Sequence, residues 1–536
     1  MKKLLVLAMM ATLLMAGSAF AVNRHTIPNA TFSFGAPGVA SGPTTTNNDD
    51  SCDIGVAPAA TLLLPYFEVD FTNRTQDTLF TITNVSRLPQ IAHVTVWTDW
   101  SFPVLDFNIY LTGYDVQGIS INQILATGVV AQNNGTGPTT AQSPLGALSA
   151  GFTANPNFAG GGASINCASQ PGSLNSALVA AVRTALTTGD YNPGGAAACP
   201  NKVGSNRGAT ANAIGYITID VASNCSLALP TDPNYYATSI LFDNVLIGDY
   251  QQLGPAPFGT TASSFDAGGN AMVHIRAVPE GGPAGTPLAG AQTNLPYTFY
   301  DRYTPATNRT LDRRQPLPAL WAARYIQGGT GAFATNYKVW REGFGAGSCG
   351  ASLALNGALP VSEIIRFDEH ENPNSSAPCT ASPCPGVTTS TMPETSAQNT
   401  SSGNFPSISS ADVGGWMYLN LNNGGSTGYS VTRNVGGVPT IITGAGSTSN
   451  LVGNSGTVGP RPSQNWVVIE MFGSTSTGNR LTVDFDAAWL GNGCSTAVGV
   501  GAVIAPAGGT PVCPAGDPGC TPGVAPYTGT NTTPLP

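Results

Sequence analysis

Apolar and polar residues alternate in short runs along this chain, and turn-forming residues end each run before it grows long. Leu79-Phe80-Thr81-Ile82-Thr83-Asn84 is one such run. Past a turn at Arg87–Pro89, Ile91–Thr98 alternates again, with Ala92, Val94 and Val96 on one side and His93, Thr95 and Trp97 on the other. Asp106–Leu111 places Phe107, Ile109 and Leu111 together, and Ile119–Ile124 reads as a fourth run. A period of two over a handful of residues predicts strands, and one-sided alternation predicts sheets packed on one face and wet on the other. Similar patterns return at Ala213–Val221, Ile240–Ile247, Ala271–Val278, Tyr297–Tyr303, Gly415–Asn420, Trp466–Phe472 and Arg480–Ala487.

Composition enters at this point. The 65 glycines and 42 prolines disfavour long helices, while 41% hydrophobic residues give a chain of 536 residues ample material for a core. No repeat of fixed period is visible, which removes propellers and solenoids. The expected fold is mainly β, with antiparallel β-sandwich lobes of Ig-like or jelly-roll type. Long Gly/Pro/Ser/Thr-rich loops and one or two short helices complete it. Leu174, Leu178, Val182 and Leu186 recur every fourth residue and predict a helix over 173–187. Pro316 and Pro318 mark a second helix start, near Pro318–Ile326.

The expected layout begins with a signal peptide over 1–21. Lys2 and Lys3 precede an apolar run, Leu4–Leu14, that is too short to span a bilayer, and Ala19-Phe20-Ala21 offers small residues for cleavage. A flexible arm follows over 22–51, a β lobe over 52–130, and a loop-rich insertion over 131–209 that carries the helix. A second β lobe covers 210–371, a low-complexity loop 372–413, C-terminal strands that pack on the lobes 414–495, and a Gly/Pro-rich tail 496–536. An exported chain with ten cysteines is read as disulfide-bonded. Cys379–Cys384 and Cys513–Cys520 are the local pairs, with Cys199–Cys225 and Cys52–Cys494 as further pairings. The expected destination is the periplasm, the cell surface or the extracellular space.

The formal charge is −9, and loss of Lys2 and Lys3 with the leader takes it to about −11. A chain so poor in basic residues does not suit nucleic acid or an anionic lipid surface. No apolar stretch after the leader is long enough for a transmembrane helix.

Several stretches belong together. They are Thr81-Ile82-Thr83-Asn84, Val94-Thr95-Val96-Trp97-Thr98-Asp99, the run Phe107–Asp115, Phe367-Asp368-Glu369-His370-Glu371-Asn372-Pro373 and Leu490-Gly491-Asn492-Gly493-Cys494. They resemble a group of exported bacterial proteins to which no function is assigned. The resemblance would cover most of 52–496 and implies export alone.

Motifs with chemical content are few. Gly424-Gly425-Ser426-Thr427-Gly428 matches the serine-hydrolase elbow but lacks the strand–turn–helix setting that exposes the serine. Gly345-Ala346-Gly347-Ser348-Cys349-Gly350 matches the dinucleotide glycine pattern without a βαβ unit around it. Asp368-Glu369-His370-Glu371 offers oxygen ligands and one imidazole; Asp484 and Asp486, one strand period apart with Glu470 as a third carboxylate, offer more. Asp368, His370, Asp484 and Asp486 are therefore the candidate metal ligands, with Ca²⁺ the ion they would take. Trp416 and Tyr418 share a strand face and, with Trp97, are candidate binding aromatics, against the alternative of ordinary core packing. Arg313 stands for a cluster of arginines over 301–341 that could pair with nearby acids or hold an anionic or sugar ligand. No residue is assigned a catalytic role. The expectation is an exported, non-catalytic structural or adhesive β protein, its partners further copies of itself or surface glycans. The alternatives are a carbohydrate-binding or polysaccharide-active secreted protein and a secreted hydrolase using Ser426.

Overall fold

The computed structural model describes residues 57–88, 90–129, 174–193, 198–223, 228–230, 235, 239–253, 269–277, 299–300, 314, 317, 320–329, 333–342, 359–360, 363–370, 391–399, 413–421, 430–435, 438–443, 464–474, 480–486 and 488–489. The protein is mainly β with antiparallel sheets, as the alternation predicts, and two helices occur among the described residues.

The first group of strands is β1 (Thr61–Val69), β2 (Asp77–Asn84), β3 (Gln90–Thr98), β4 (Pro103–Leu111), β5 (Val116–Ser120), β6 (Ala213–Ala222), β7 (Leu246–Leu253), β8 (Gly269–Ala271) and β9 (Val273–Ile275). Helices α1 (Ile121–Thr127) and α2 (Ser176–Thr188) lie between β5 and β6. The strands form two sheets, ordered β4-β3-β6-β1-β9 and β5-β2-β7-β8. Leu62, Leu64, Ala92, Val94, Val96, Phe107, Ile217 and Ile219 from one sheet meet Phe80, Ile82, Ile119 and Tyr250 from the other in a single core. The chain changes sheet at Met272, between β8 and β9.

The second group is β10 (Leu320–Ile326), β11 (Ala334–Arg341), β12 (Leu359–Pro360), β13 (Glu363–Asp368), β14 (Thr391–Met392), β15 (Thr395–Asn399), β16 (Gly414–Asn420), β17 (Ser430–Val435), β18 (Val438–Thr443), β19 (Asn465–Ser474), β20 (Arg480–Asp486) and β21 (Ala488–Trp489). Sheets β13-β16-β10-β21 and β15-β11-β19-β20 face each other across a core of Trp321, Ala323, Tyr325, Ile364, Met417 and Leu419 against Tyr337, Val339, Val467, Ile469 and Met471. β12 pairs with β14, and β17 with β18.

Four local readings change. Leu320–Ile326 is a strand, not a helix: Trp321, Ala323 and Tyr325 point into the core with a period of two, and pairing with β16 outweighs the helix preference of the alanines. Ile119–Ile124 divides between β5 and α1. Ile121, Ile124 and Leu125 make an apolar helical face, the Ser120 side chain caps the first turn, and Gly128 (φ 77°) ends the helix. Thr395–Asn399, placed in a low-complexity loop, is a strand paired with β11. Strand pairing also divides the chain differently from the 52–130 and 210–371 lobes. β6, β7, β8 and β9 complete the first sandwich, β6 lying between β3 and β1.

The expected helix over 173–187 is α2. Asn175 caps it, accepting from Leu178 N (2.8 Å), and it buries Val179, Val182, Ala185 and Leu186. It ends at Gly189 (φ 74°), where a Cβ would run into the Gly204 carbonyl, so only glycine fits.

Candidate functional site

The strand β3 is buried along its whole length, on both faces. The side expected to be wet carries rows of side chains that continue across the sheet. One row runs Asn108–His93–Asp220–Thr61 over β4, β3, β6 and β1, and the next runs Asp106–Thr95–Thr218–Leu63. Asn108, Asp220 and Thr61 are fully buried, and His93 nearly so. This polar face is covered by Tyr235, Phe299, Tyr300 and Leu317 together with Trp340 of β11, which is how the second sandwich joins the first.

Asp220 is the hub. Tyr235 and Tyr300 donate to its Oδ2 (2.5 and 2.7 Å), and Thr61 donates to its Oδ1. Arg314 pairs with it at 3.2 Å, both side chains being fully buried. Arg314 also donates to Thr61 Oγ1 and to the Leu241 carbonyl (3.2 Å), and lies over the rings of Phe242 and Tyr300. Burial and the Asp220 carboxylate hold the Tyr235 hydroxyl well above its ordinary pKa, so it remains a donor. A buried carboxylate is tolerated when charge-assisted hydrogen bonds replace its lost hydration, and three hydroxyls and a guanidinium supply them here.

Aromatic packing extends the joint. Trp97 stacks on Tyr216 (5.6 Å between centroids, 3° between planes), and Trp340 meets Tyr216 edge-on at 5.9 Å. Trp97 Nε1 donates to Thr218 Oγ1 (2.8 Å). At its other side the joint is polar. Thr395 donates to the Pro65 carbonyl (2.6 Å), Glu394 N donates to the Asp99 carbonyl (3.0 Å), and Lys338 lies over the Tyr66 ring (4.7 Å). Arg341, fully buried beneath this region, donates to the Leu421 carbonyl (2.7 Å); burial lowers its pKa to about 9, with Glu394 acting in the opposite direction.

The candidate residues from sequence separate. Trp97 is fully buried in the joint and has no surface left for a ligand. Tyr418 is buried on the face of β16 opposite Met417 and Leu419. Trp416 is half-buried and stacks on Phe367 (4.1 Å, 9°), with Arg324 opposite it across β10. Arg324 pairs with Glu369 at 2.6 Å near the surface. Asp368 accepts from His370 N (2.8 Å), closing the turn after β13, while the His370 side chain is exposed. Asp484 and Asp486 stand opposite Glu470 and Val468 in the β19–β20 register. Glu470 itself pairs with Lys338 at 3.4 Å. Among the described residues no three His, Cys, Asp or Glu side chains converge as a metal site. Cys199 is disulfide-bonded. Arg313, Ser426, Cys225, Cys379, Cys384, Cys513 and Cys520 lie outside the described residues.

Sequence reasoning missed Asp220, Tyr235, Tyr300, Thr61 and Asn108; Arg314 belongs to the arginine cluster over 301–341, whose expected acid partners do not include Asp220. A signal for the first was present: Asp220 sits inside Ile217-Thr218-Ile219-Asp220-Val221, an acid within an otherwise apolar and threonine strand. Comparison with protein-family models, with characterised proteins and with solved structures finds no match to this chain.

Proposed function

We propose that the chain is an exported, non-catalytic structural or adhesive protein of the cell surface or extracellular space. The observation that carries this reading is the use made of scarce charge. Only 9% of residues are charged, and among the described residues the polar cluster around Asp220 and Arg314 is closed to solvent and internally paired, beneath the aromatic cover through which Trp340 brings the second sandwich onto the first. A β body of two packed sandwiches suits display of the segments between its strands to partners. Export rests on the Met1–Ala21 pattern.

Light scattering with negative-stain imaging of the mature chain tests this reading. Ordered polymers or lattices are the expected result. A persistent monomer of about 52 kDa, the 54.6 kDa chain less its leader, that also fails to adhere to cells of the source type would overturn it.

Carbohydrate binding is a second reading, favoured by one place. The half-buried Trp416, stacked face to face on Phe367 and beside the Arg324–Glu369 pair, offers an aromatic plate with polar groups at its rim. Glycan-array binding lost in Trp416→Ala, with melting unchanged, is the expected outcome; an array without hits removes this reading.

A further inference from the structure

We propose that the β4 side of the buried polar face holds an internal water bound by His93 and Thr95. His93 Nδ1 lies 2.9 Å from Asn108 Oδ1. An amide oxygen accepts, so Nδ1 carries the proton and Nε2 presents a bare lone pair. That Nε2 is buried and meets no hydrogen-bonding group among the described residues, and the same is true of Thr95 Oγ1. The two residues are 2% and 0% exposed. At positions i and i+2 of β3 they lie on one face, with Cα atoms about 7 Å apart.

The surroundings define what can bind. The Tyr235 ring closes over His93 at 5.8 Å, and Asp106 stands opposite Thr95 on β4. Nε2 requires a donor, whereas the threonine hydroxyl can both give and receive. A species between them must therefore donate at one end and be able to accept at the other. Water is the smallest that does both, and buried waters typically satisfy two to four such groups. A cation is disfavoured because Nε2, the threonine hydroxyl and the Asp106 carboxylate opposite it are too few ligands to replace its hydration, no three His, Cys, Asp or Glu side chains converge among the described residues, and the Asp220 carboxylate is already neutralised by Arg314.

The test uses the full mature chain. A crystal structure that shows ordered solvent should place an oxygen within hydrogen-bond distance of both His93 Nε2 and Thr95 Oγ1. Thr95→Val keeps the shape but removes a partner of that water, so melting should fall by about 2 °C. Without the water, the same change would delete an unsatisfied hydroxyl and melting would rise. Empty density at both atoms, a rise in melting temperature, or one tightly retained metal ion per chain would each overturn the proposal. The density decides by itself if the valine variant does not fold.

Discussion

The two sheets of the first sandwich follow one rule of sequence and meet different fates. Along β2, residues alternate between buried and half-exposed, so Thr81 and Thr83 face water while Phe80 and Ile82 face the core. Along β3 the alternation is as regular, yet every residue is buried. The difference lies outside both strands: the β3 sheet carries Tyr235, Tyr300, Arg314 and Trp340 on its back, and the β2 sheet leaves Thr81 half-buried and Val116 and Asp249 exposed. Period two thus reports which residues share a face. Whether the second face is wet depends on elements distant in the chain.

The contrast is sharpest at its hub. Asp220→Ala leaves the Arg314 guanidinium buried without its carboxylate and should cost about 4 kcal/mol, read by denaturant unfolding. A loss below about 1 kcal/mol would mean that the joint does not depend on this pair.

Acid should weaken the first sandwich next. His274 lies inside it and accepts from Gly248 N (3.1 Å) through Nε2, linking β9 of one sheet to β7 of the other. Burial lowers its pKa to about 4 from 6.5. Because the folded state disfavours the proton, this contribution is complete above pH 6.5. It is lost as pH falls toward 4, by up to about 3 kcal/mol. Unfolding measured from pH 7 to 4 should show that slope, and His274→Asn should flatten it.

Two threonines give the direct comparison. Thr218→Val, on the covered face, removes the acceptor of Trp97 Nε1 and should cost about 2 kcal/mol. Thr81→Val, on the wet face, removes a surface hydrogen bond to Asp249 and should change stability by no more than about 0.5 kcal/mol. Equal effects in thermal melts would show that the cover over β3 contributes little.

Much of the architecture was legible for local reasons. The runs at 79–84, 91–98, 106–111, 213–221, 415–420 and 466–472 are strands because each residue's face is set by its immediate neighbours. Trp416 and Tyr418 were correctly separated from Met417 and Leu419 on the same ground. The joint was not legible, because it is assembled from Thr61, His93, Asp220, Tyr300, Arg314 and Trp340, which are far apart in sequence and carry no local period. Leu320–Ile326 misled because Leu, Ala and Arg favour a helix, and only the partner strand β16 decides otherwise.

Strand order also has a consequence in time. β1 pairs on one side with β6 and on the other with β9, so Thr61 waits for Asp220 and Ile275 before either partner exists. At about 5–20 residues per second, synthesis of that interval lasts on the order of ten to forty seconds. Such distant pairing also makes folding itself slow. Throughout that interval the first sandwich cannot close, and the nascent chain stays threadable: a polypeptide that can still be drawn lengthwise through a narrow pore.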